Sequence, residues 1–342
     1  MHDCSTADHS ESDMKHGGEP PFADGDNLAD WLDLSTGINP HSYPVPKLMS
    51  ADWERLPSQS AHDELLSVAR HYYAIPDIMG AVAVPGTESA INQLPDCCPG
   101  PIAIIEPTYS SHRAAWAADG RMTYAIDDLP SGAVETHLLV VNPNNPTGRL
   151  TPPETLLAIA QKLAPGCFLI VDEAFMDCQP EMSVVPHMQV GLPIIVLKSF
   201  GKFFGLAGLR LGFVICNSDL LKTLSGRFGG WCISGPALKI GCAALSDRQW
   251  QISMRHRLKT DMDRLESLIV EPDQMIGRTD LFLTSRHRNA AALHSFLATR
   301  KIWTRCFTYE PTWLRFGLPK SDTEFERFAS SLSAFAEQAA GA

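Results

Sequence analysis

The stretch Leu197–Phe213, LKSFGKFFGLAGLRLGF, contains three basic residues, and two of them, Lys202 and Arg210, lie among Phe, Leu, Gly and Ala. Lysine is rarely buried without a partner, so the position of Lys202 requires a physical reason. Lys202 could lie at the edge of the core, with its apolar stem buried and its ammonium group in water. Alternatively, apolar surroundings favour the neutral amine, which is a nucleophile toward aldehydes. The stretch alone leaves both interpretations open.

Short apolar runs that end in turn residues recur on both sides of this stretch. Four to six consecutive apolar residues are typical of strands that are buried on both faces. Helical stretches separate several runs, as in PPETLLAIAQKLAP, where Pro152 or Pro153 suits an early helix position. This order predicts an α/β fold with a mostly parallel central sheet flanked by helices. The runs are AVAVPGTES, PIAIIEPTY, THLLVVNPNNPTG, CFLIVDEAF, PIIVLKSFGK and LRLGFVICN.

The pattern changes after about residue 235. A long helical stretch over about 236–270 precedes short strands at DLFLTSR, KIWTRCF and TWLRFGL, which alternate with helices near 289–300 and 322–340. This alternation predicts a smaller α+β domain. The predicted division is an N-terminal arm (1–30), a large domain whose first residues contribute to the small domain (31–235), and the small domain itself (236–342).

Charge and composition narrow the function classes. The formal net charge of −11 argues against nucleic acid, although a locally positive pocket can still bind a small anion. No apolar run is long enough to span a bilayer, and the start, MHDCSTADHSESDMK, is polar and acidic rather than a secretion signal. The nine cysteines and twelve histidines show no metal-ligand spacing. We therefore expect a cytoplasmic protein with reduced thiols and without a metal, a membrane or a nucleic-acid partner.

Polar residues close the apolar runs, and in an open parallel sheet ligands bind beyond the carboxyl ends of the strands. Asp172 ends FLIVD, where an ionised carboxylate requires a nearby cation. Gly86 and Thr87 open a helix whose backbone amides can hold a phosphate, and Ser199 and Arg210 can add donors. Taken singly, Asp172 could be an ion pair or a helix cap, and the Gly86 turn could be an ordinary turn. Together with Lys202 and Tyr109, these groups match the requirements of pyridoxal 5′-phosphate.

Three motifs in order, NNPTG, VDEAF and SFGKFFGLAGLRLGF, resemble the fold-type-I pyridoxal-phosphate enzymes, the aspartate-aminotransferase-like superfamily. The resemblance extends over nearly the whole chain from about residue 30, and it implies a homodimer with its active site near the subunit interface. It also implies that Lys202 binds the cofactor covalently and that Asp172 faces the pyridine nitrogen. The other implied ligands are Tyr109, which stacks on the ring, Asn145, which bonds the ring hydroxyl, and Gly86, Thr87, Ser199 and Arg210, which hold the phosphate.

Two branches of this superfamily fit the sequence, the histidinol-phosphate aminotransferases and the threonine-phosphate decarboxylases of cobalamin synthesis. HGG at residues 16–18, WLDLSTGINPHSYPVP and Phe175 after DEA resemble the second branch. We therefore expect decarboxylation of a phosphorylated amino acid, L-threonine O-3-phosphate, to (R)-1-amino-2-propanol O-2-phosphate, with the aminotransferase as the alternative. A third hypothesis, a non-catalytic pyridoxal-phosphate sensor domain of a transcription regulator, requires a DNA-binding module for which we expect no room.

The substrate ligands that the resemblance implies lie near the two ends of the chain. They are His16, Gly17, Arg305 and Arg315. Arg305 could equally be a solvated strand residue, and His16 could belong to a disordered tail. The sequence also departs from the branch at Gly37, where an asparagine is usual, at Leu56, where a tyrosine is usual, and at Gly201, where a Ser or Thr is usual. We expect Gly201 to remove one side-chain contact to the cofactor phosphate.

Overall fold

The structure is a computed structural model that describes residues 17–21, 27–269 and 274–340. The strands are β1 (Leu32–Asp33), β2 (Gly80–Val84), β3 (Ile102–Ile105), β4 (Thr123–Ile126), β5 (His137–Val141), β6 (Leu169–Asp172), β7 (Ile194–Ser199), β8 (Gly212–Cys216), β9 (Met275–Arg278), β10 (Phe282–Arg286), β11 (Ile302–Trp303), β12 (Arg305–Cys306) and β13 (Trp313–Gly317). The helices are α1 (Ser50–Glu54), α2 (Gln59–Tyr72), α3 (Thr87–Ile91), α4 (Leu94–Cys97), α5 (Ser110–Ala118), α6 (Pro153–Ala160), α7 (Phe200–Phe203), α8 (Ser218–Phe228), α9 (Gly235–Ser246), α10 (Arg248–Ile269), α11 (Ala290–Thr299) and α12 (Asp322–Ala340).

The central sheet has seven strands in the order β2-β8-β7-β6-β5-β3-β4. Strand β8 runs antiparallel to both of its neighbours, and the remaining pairs are parallel. Each of the six apolar runs contains one of these strands, which confirms the predicted mostly parallel sheet. The seventh strand, β4, was not predicted, because it lies at the sheet edge and is only partly buried.

The strands of the sheet are buried on both faces. Successive residues of β6 and β7 belong alternately to two apolar clusters: Val171 and Val196 to one, Ile170 and Ile195 to the other. This alternation follows from strand geometry, in which neighbouring side chains point to opposite faces. Among the described residues, no helix is long and apolar enough to cross a membrane.

A four-stranded antiparallel sheet, β12-β13-β10-β9, is built from the C-terminal part of the chain. Strand β1 pairs in parallel with β11, so residues near the start contact this C-terminal part. The predicted helical stretch over about 236–270 consists of two helices, since α9 ends at Ser246 and α10 begins at Arg248. Asp247 separates the two helices because its carboxylate accepts a hydrogen bond from the Trp250 amide (3.0 Å) and so caps α10. The domain boundaries at residues 30 and 235 stay a prediction.

A buried ion pair joins Lys198 of β7 to Glu173, which directly follows β6. The Glu173 carboxylate also accepts hydrogen bonds from the Ser183 hydroxyl (2.5 Å) and the Val184 amide (2.8 Å). Lys198 in turn donates to the Ser183 oxygen (3.1 Å). Because both charged side chains are almost completely buried, each depends on the other for neutralisation.

We expect Lys198→Met to lower the free energy of unfolding by about 3–5 kcal/mol, because it leaves the Glu173 carboxylate buried without its cation. Urea unfolding followed by circular dichroism measures the change. The double variant Lys198→Met/Glu173→Gln removes both charges and should be more stable than Lys198→Met alone. A single variant that is as stable as the wild type would contradict the assignment.

Candidate active site

A cavity opens at the edge of the central sheet where β6 and β7 end and β8 begins. Arg210 precedes β8 rather than closing a strand, and it reaches this edge because β8 runs antiparallel to β7. The cavity is lined by all the residues that the sequence predicts as cofactor ligands, namely Gly86, Thr87, Tyr109, Asn145, Asp172, Ser199, Lys202 and Arg210.

Lys202 lies in α7, the short helix that begins where β7 ends. Its carbonyl oxygen accepts a hydrogen bond from the Asn39 amide (3.0 Å), and its Nζ lies 5.6 Å from the centroid of the Phe175 ring. Burial, together with the positive charge of Arg315, lowers the pKa of Lys202 to about 8, while Asp172 opposes the shift. A neutral, nucleophilic amine is therefore available close to neutral pH.

Asp172 ends β6 with its carboxylate almost completely buried. The carboxylate accepts a hydrogen bond from His112 Nε2 (2.8 Å) and another from the Ala174 amide (3.0 Å). His112, which is fully buried in α5, was not predicted from the sequence. The available signal was its spacing: His112 follows Tyr109 by three residues, and the two rings lie 6.0 Å apart.

Tyr109 is anchored through its hydroxyl group, which donates a hydrogen bond to Glu88 Oε2 (3.0 Å). Burial raises the pKa of Tyr109, and the charge of Glu88 adds to this effect, so the hydroxyl stays protonated. Glu88 therefore fixes the direction of the Tyr109 ring at the wall of the cavity. No role for Glu88 was predicted from the sequence.

An oxyanion-binding corner is formed where Gly86 meets Arg210. Gly86 has a φ of 79°, and a Cβ atom there would lie 2.4 Å from Arg210 Nη2, so only glycine allows this approach. The guanidinium group is held by a hydrogen bond from Nη1 to the Ala207 carbonyl (3.0 Å). Thr87 begins α3, and Ser199 precedes α7 without capping it. Backbone amides, a guanidinium and a hydroxyl are thus available to a phosphate.

Arg315 lies in β13 and is held by two hydrogen bonds. It donates through Nη1 to Asn145 Oδ1 (2.5 Å) and through Nη2 to the Ser35 carbonyl (2.6 Å). Burial and the positive charge of Arg305 lower the pKa of Arg315 to about 10. Arg305 stands opposite Arg315 in the register of β12 and β13. Neither arginine lines the cavity, but Arg315 contacts Asn145, which does.

The first described residues contact Ser35, the residue whose carbonyl oxygen accepts a hydrogen bond from Arg315. The Gly18 amide donates to the Ser35 hydroxyl (2.7 Å), and a Cβ atom at Gly17 would lie 2.4 Å from the Ser35 carbonyl oxygen. Gly17 thus lies beside Ser35, close to Arg315. The predicted ligand His16 lies outside the described residues.

The structure shows the surroundings of the three residues that differ from those usual in the branch, Gly201, Gly37 and Leu56. A Cβ atom at Gly201 would lie 2.8 Å from Ala207 Cα, so this backbone contact leaves no room for a Ser or Thr. A Cβ atom at Gly37 would lie 2.8 Å from the Phe175 ring, which packs edge-on against Phe282. Leu56 is 69% exposed.

Comparison with known proteins identifies the class. The family model described as aminotransferase class I and II matches residues 29–332. The histidinol-phosphate aminotransferase from Clostridium acetobutylicum has a similar structure, with a TM-score of 0.77, 20% identity, and coverage of 90% of this chain and 99% of that chain. The chain belongs to the class I and II aminotransferase family, and it is a pyridoxal-phosphate-dependent enzyme with the predicted fold.

Two relatives place the chain more closely. A threonine-phosphate decarboxylase from Sinorhizobium sp is 39% identical over 95% of this chain and 96% of its own length. A threonine-phosphate decarboxylase from Pseudomonas aeruginosa is 40% identical over 91% of this chain and 94% of its own length. Within the family, the chain therefore belongs to the threonine-phosphate decarboxylase group, which confirms the branch that the sequence favoured.

The lowered pKa of Lys202 predicts that its amine in the cofactor-free protein reacts with acetic anhydride with a midpoint near pH 8. An ordinary lysine titrates near pH 10.4. Because the folded state binds fewer protons than the unfolded state between these values, the stability contributed by this group should rise with pH across that interval. Competitive labelling with peptide mapping measures the midpoint, and the exposed Lys47 is the internal control. A Lys202 midpoint near pH 10.4 would contradict the effect of its burial beside Arg315.

Proposed function

We propose that the protein decarboxylates L-threonine O-3-phosphate to (R)-1-amino-2-propanol O-2-phosphate, a step in cobalamin biosynthesis. The observation that carries this proposal is the near full-length similarity, at 39% and 40% identity, to two threonine-phosphate decarboxylases. The cavity supports it, since every residue that the motifs mark for the cofactor lines one space.

The donor set of the cavity fits pyridoxal 5′-phosphate, and we assign roles on that basis. Lys202 is the covalent attachment point, because its lowered pKa makes the amine nucleophilic. The buried Asp172 carboxylate would bind the pyridine nitrogen and keep it protonated, with His112 as its positioning partner. When bound, the cofactor supplies an electron sink for the pair of electrons released at the substrate Cα. The remaining ligands are Tyr109 and Asn145 at the ring, and Gly86, Thr87, Ser199 and Arg210 at the phosphate.

The choice between decarboxylation and transamination depends on which bond at Cα stands perpendicular to the ring. We propose that Arg305 and Arg315, with Gly17 and His16 on the N-terminal arm, bind the phosphate and carboxylate groups of the substrate. Arg315 already donates to Asn145 and Ser35, so its position is set before substrate binds. Anchoring the substrate through its phosphate leaves the carboxylate free to stand upright, which favours loss of carbon dioxide.

We also propose a homodimer located in the cytoplasm. The exposed apolar side chains of Met49, Trp53 and Leu56 support a subunit contact near α1, with Trp53 and Leu56 each 69% exposed. The described cysteines are free thiols, which agrees with a reducing compartment.

The alternative function is a histidinol-phosphate-type aminotransferase. The structural similarity to the Clostridium acetobutylicum enzyme shows the fold alone at 20% identity. Phe175 argues against this alternative, because the aminotransferases usually carry tyrosine there to bond the ring hydroxyl. Phe175 instead packs against Phe282, at a centroid distance of 5.0 Å, and has no hydroxyl to offer.

The first test is to incubate the purified holoenzyme with O-phosphothreonine and measure carbon dioxide. We expect release without any added keto acid, and none from the Lys202→Ala variant. Sodium borohydride reduction followed by peptide mapping should place the cofactor on Lys202. Conversion of histidinol phosphate only when a keto acid is supplied would establish the aminotransferase instead.

The Asp172→Asn variant should reduce turnover by at least roughly a hundredfold, because it removes the charge that keeps the pyridine nitrogen protonated while nearly keeping the shape. Cofactor content, measured by absorbance after alkaline release, checks that the cofactor still binds. Turnover close to that of the wild type would remove Asp172 from the mechanism.

The Arg305→Ala variant should raise KM for O-phosphothreonine about ten- to hundredfold, since a hydrogen bond to a charged group contributes about 1.5–3 kcal/mol. Cofactor affinity should not change, because Arg305 does not line the cofactor cavity. Deleting residues 1–18 should raise KM in the same way. If the truncated protein keeps its KM, the arm does not bind substrate.

A further inference from the structure

A second cleft, of about 430 Å³, lies between α10 and the turn that joins β9 to β10. None of its lining residues lines the cofactor cavity. The lining is rich in charged side chains of both signs, and those that matter here are Glu181, Arg255, His256, Lys259, Arg278 and Asp280. Most ligand pockets are lined mainly by apolar side chains. Because this lining is charged, the positions of its charges decide which ligand it can bind.

Asp280 is the unusual member of this group, because it is only 9% exposed yet lines the cleft. Within the described part of the chain, its carboxylate makes no hydrogen bond and no ion pair. Burial raises the pKa of Asp280, and the charges of Arg278 and Lys259 only partly oppose this. A buried carboxylate without a partner is unfavourable, so a cation from outside the chain would stabilise it.

The backbone around Asp280 is fixed by a tight turn. The Thr279 amide donates to the Phe282 carbonyl (2.9 Å), and the Thr279 hydroxyl accepts from the Leu281 amide (3.1 Å). Asp280 lies between these bonded residues, which restrict its freedom to turn toward solvent. Its place in the cleft is therefore set by the fold before any ligand arrives.

The positive side of the cleft comes from α10. Lys259 is exposed and has no hydrogen-bond or ion-pair partner among the residues that the structure describes. Arg255 is held in place through Nε, which donates to the Asp177 carbonyl (2.8 Å), and through Nη2, which donates to the Tyr72 hydroxyl (3.2 Å). Among the residues that the structure describes, its hydrogen bonds involve only Nε and Nη2, which leaves Nη1 for an anion. Arg278 is already neutralised by Asp263 and Glu266.

We propose that this cleft binds a small molecule that carries both an ammonium group and a phosphate or carboxylate group. The ammonium group pairs with Asp280, with Glu181 at the rim, and the anionic group pairs with Lys259 and Arg255, with His256 beside them. This site is separate from the cofactor cavity, and the proposal does not depend on the reaction that the cavity catalyses. It follows from opposite charges held on two rigid elements across one cleft.

The test uses the holoenzyme and O-phosphoethanolamine as the probe, with isothermal titration calorimetry for stoichiometry. The cofactor absorbance spectrum is recorded in parallel, because the same probe can enter the active site and would then change that spectrum. We expect an additional binding event that leaves the spectrum unchanged. Asp280→Asn and Lys259→Gln should each weaken this event about tenfold or more, since each removes one charged hydrogen bond.

Matched controls are Asp77→Asn and Lys47→Gln, which change exposed charges away from the cleft and should leave the event unaltered. Asp280→Asn should not lower the thermal stability of the protein, because it removes an unpaired buried carboxylate, so lost binding is not a folding defect. Inorganic phosphate alone and ethanolamine alone should each bind more weakly than the probe. Absence of a spectrum-silent event in the wild type, or equal affinity in Asp280→Asn, would overturn the proposal.

Discussion

The register of β6, β7 and β8 is the constraint on which the active site depends. Asp172 pairs with Leu197 and Ser199 pairs with Gly212, so the last residues of two parallel strands and the first residue of an antiparallel one share an edge. A shift of one residue in any of these strands would move the Asp172 or Ser199 side chain to the opposite face of the sheet. The two buried apolar clusters, which take alternate residues of each strand, make such a shift costly. Packing on both faces of the sheet thus fixes the positions of Asp172 and Ser199 at its edge.

Charge balance is the second organising factor of the cavity. Two cationic side chains, Lys202 and Arg210, line it together with two carboxylates, Asp172 and Glu88. Each carboxylate is committed to a neighbour, Asp172 to His112 and Glu88 to Tyr109, so neither forms an ion pair with Lys202 within the described part of the chain. Burial can therefore lower the pKa of Lys202 without a strong opposing partner. The hydrogen bonds that orient Asp172 and Tyr109 thus also keep Lys202 reactive.

The sequence predicted six of the seven strands of the central sheet, and it marked polar residues that the structure brings together in one cavity, because both signals lie in short local segments. Apolar runs of four to six residues mark buried strands, and the polar residue after each run must lie at the sheet edge. The residues that hold those side chains in place could not be predicted from local sequence patterns. His112 comes from α5, and Ser35 reaches Arg315 from 280 positions away in the chain. The break at Asp247 was missed because a single capping aspartate does not interrupt the apolar periodicity on either side of it.

The C-terminal sheet places two like charges next to each other. Arg305 and Arg315 stand opposite each other on β12 and β13, where like charges destabilise a sheet. Burial and the positive charge of Arg305 lower the pKa of Arg315 to about 10. Hydrogen bonds to Asn145 and Ser35 hold its guanidinium group but do not compensate its charge, since both acceptors are neutral. If the two arginines bind the substrate as proposed, its phosphate and carboxylate groups would relieve this repulsion. This arrangement supports the proposal that Arg305 and Arg315 bind a phosphorylated amino acid.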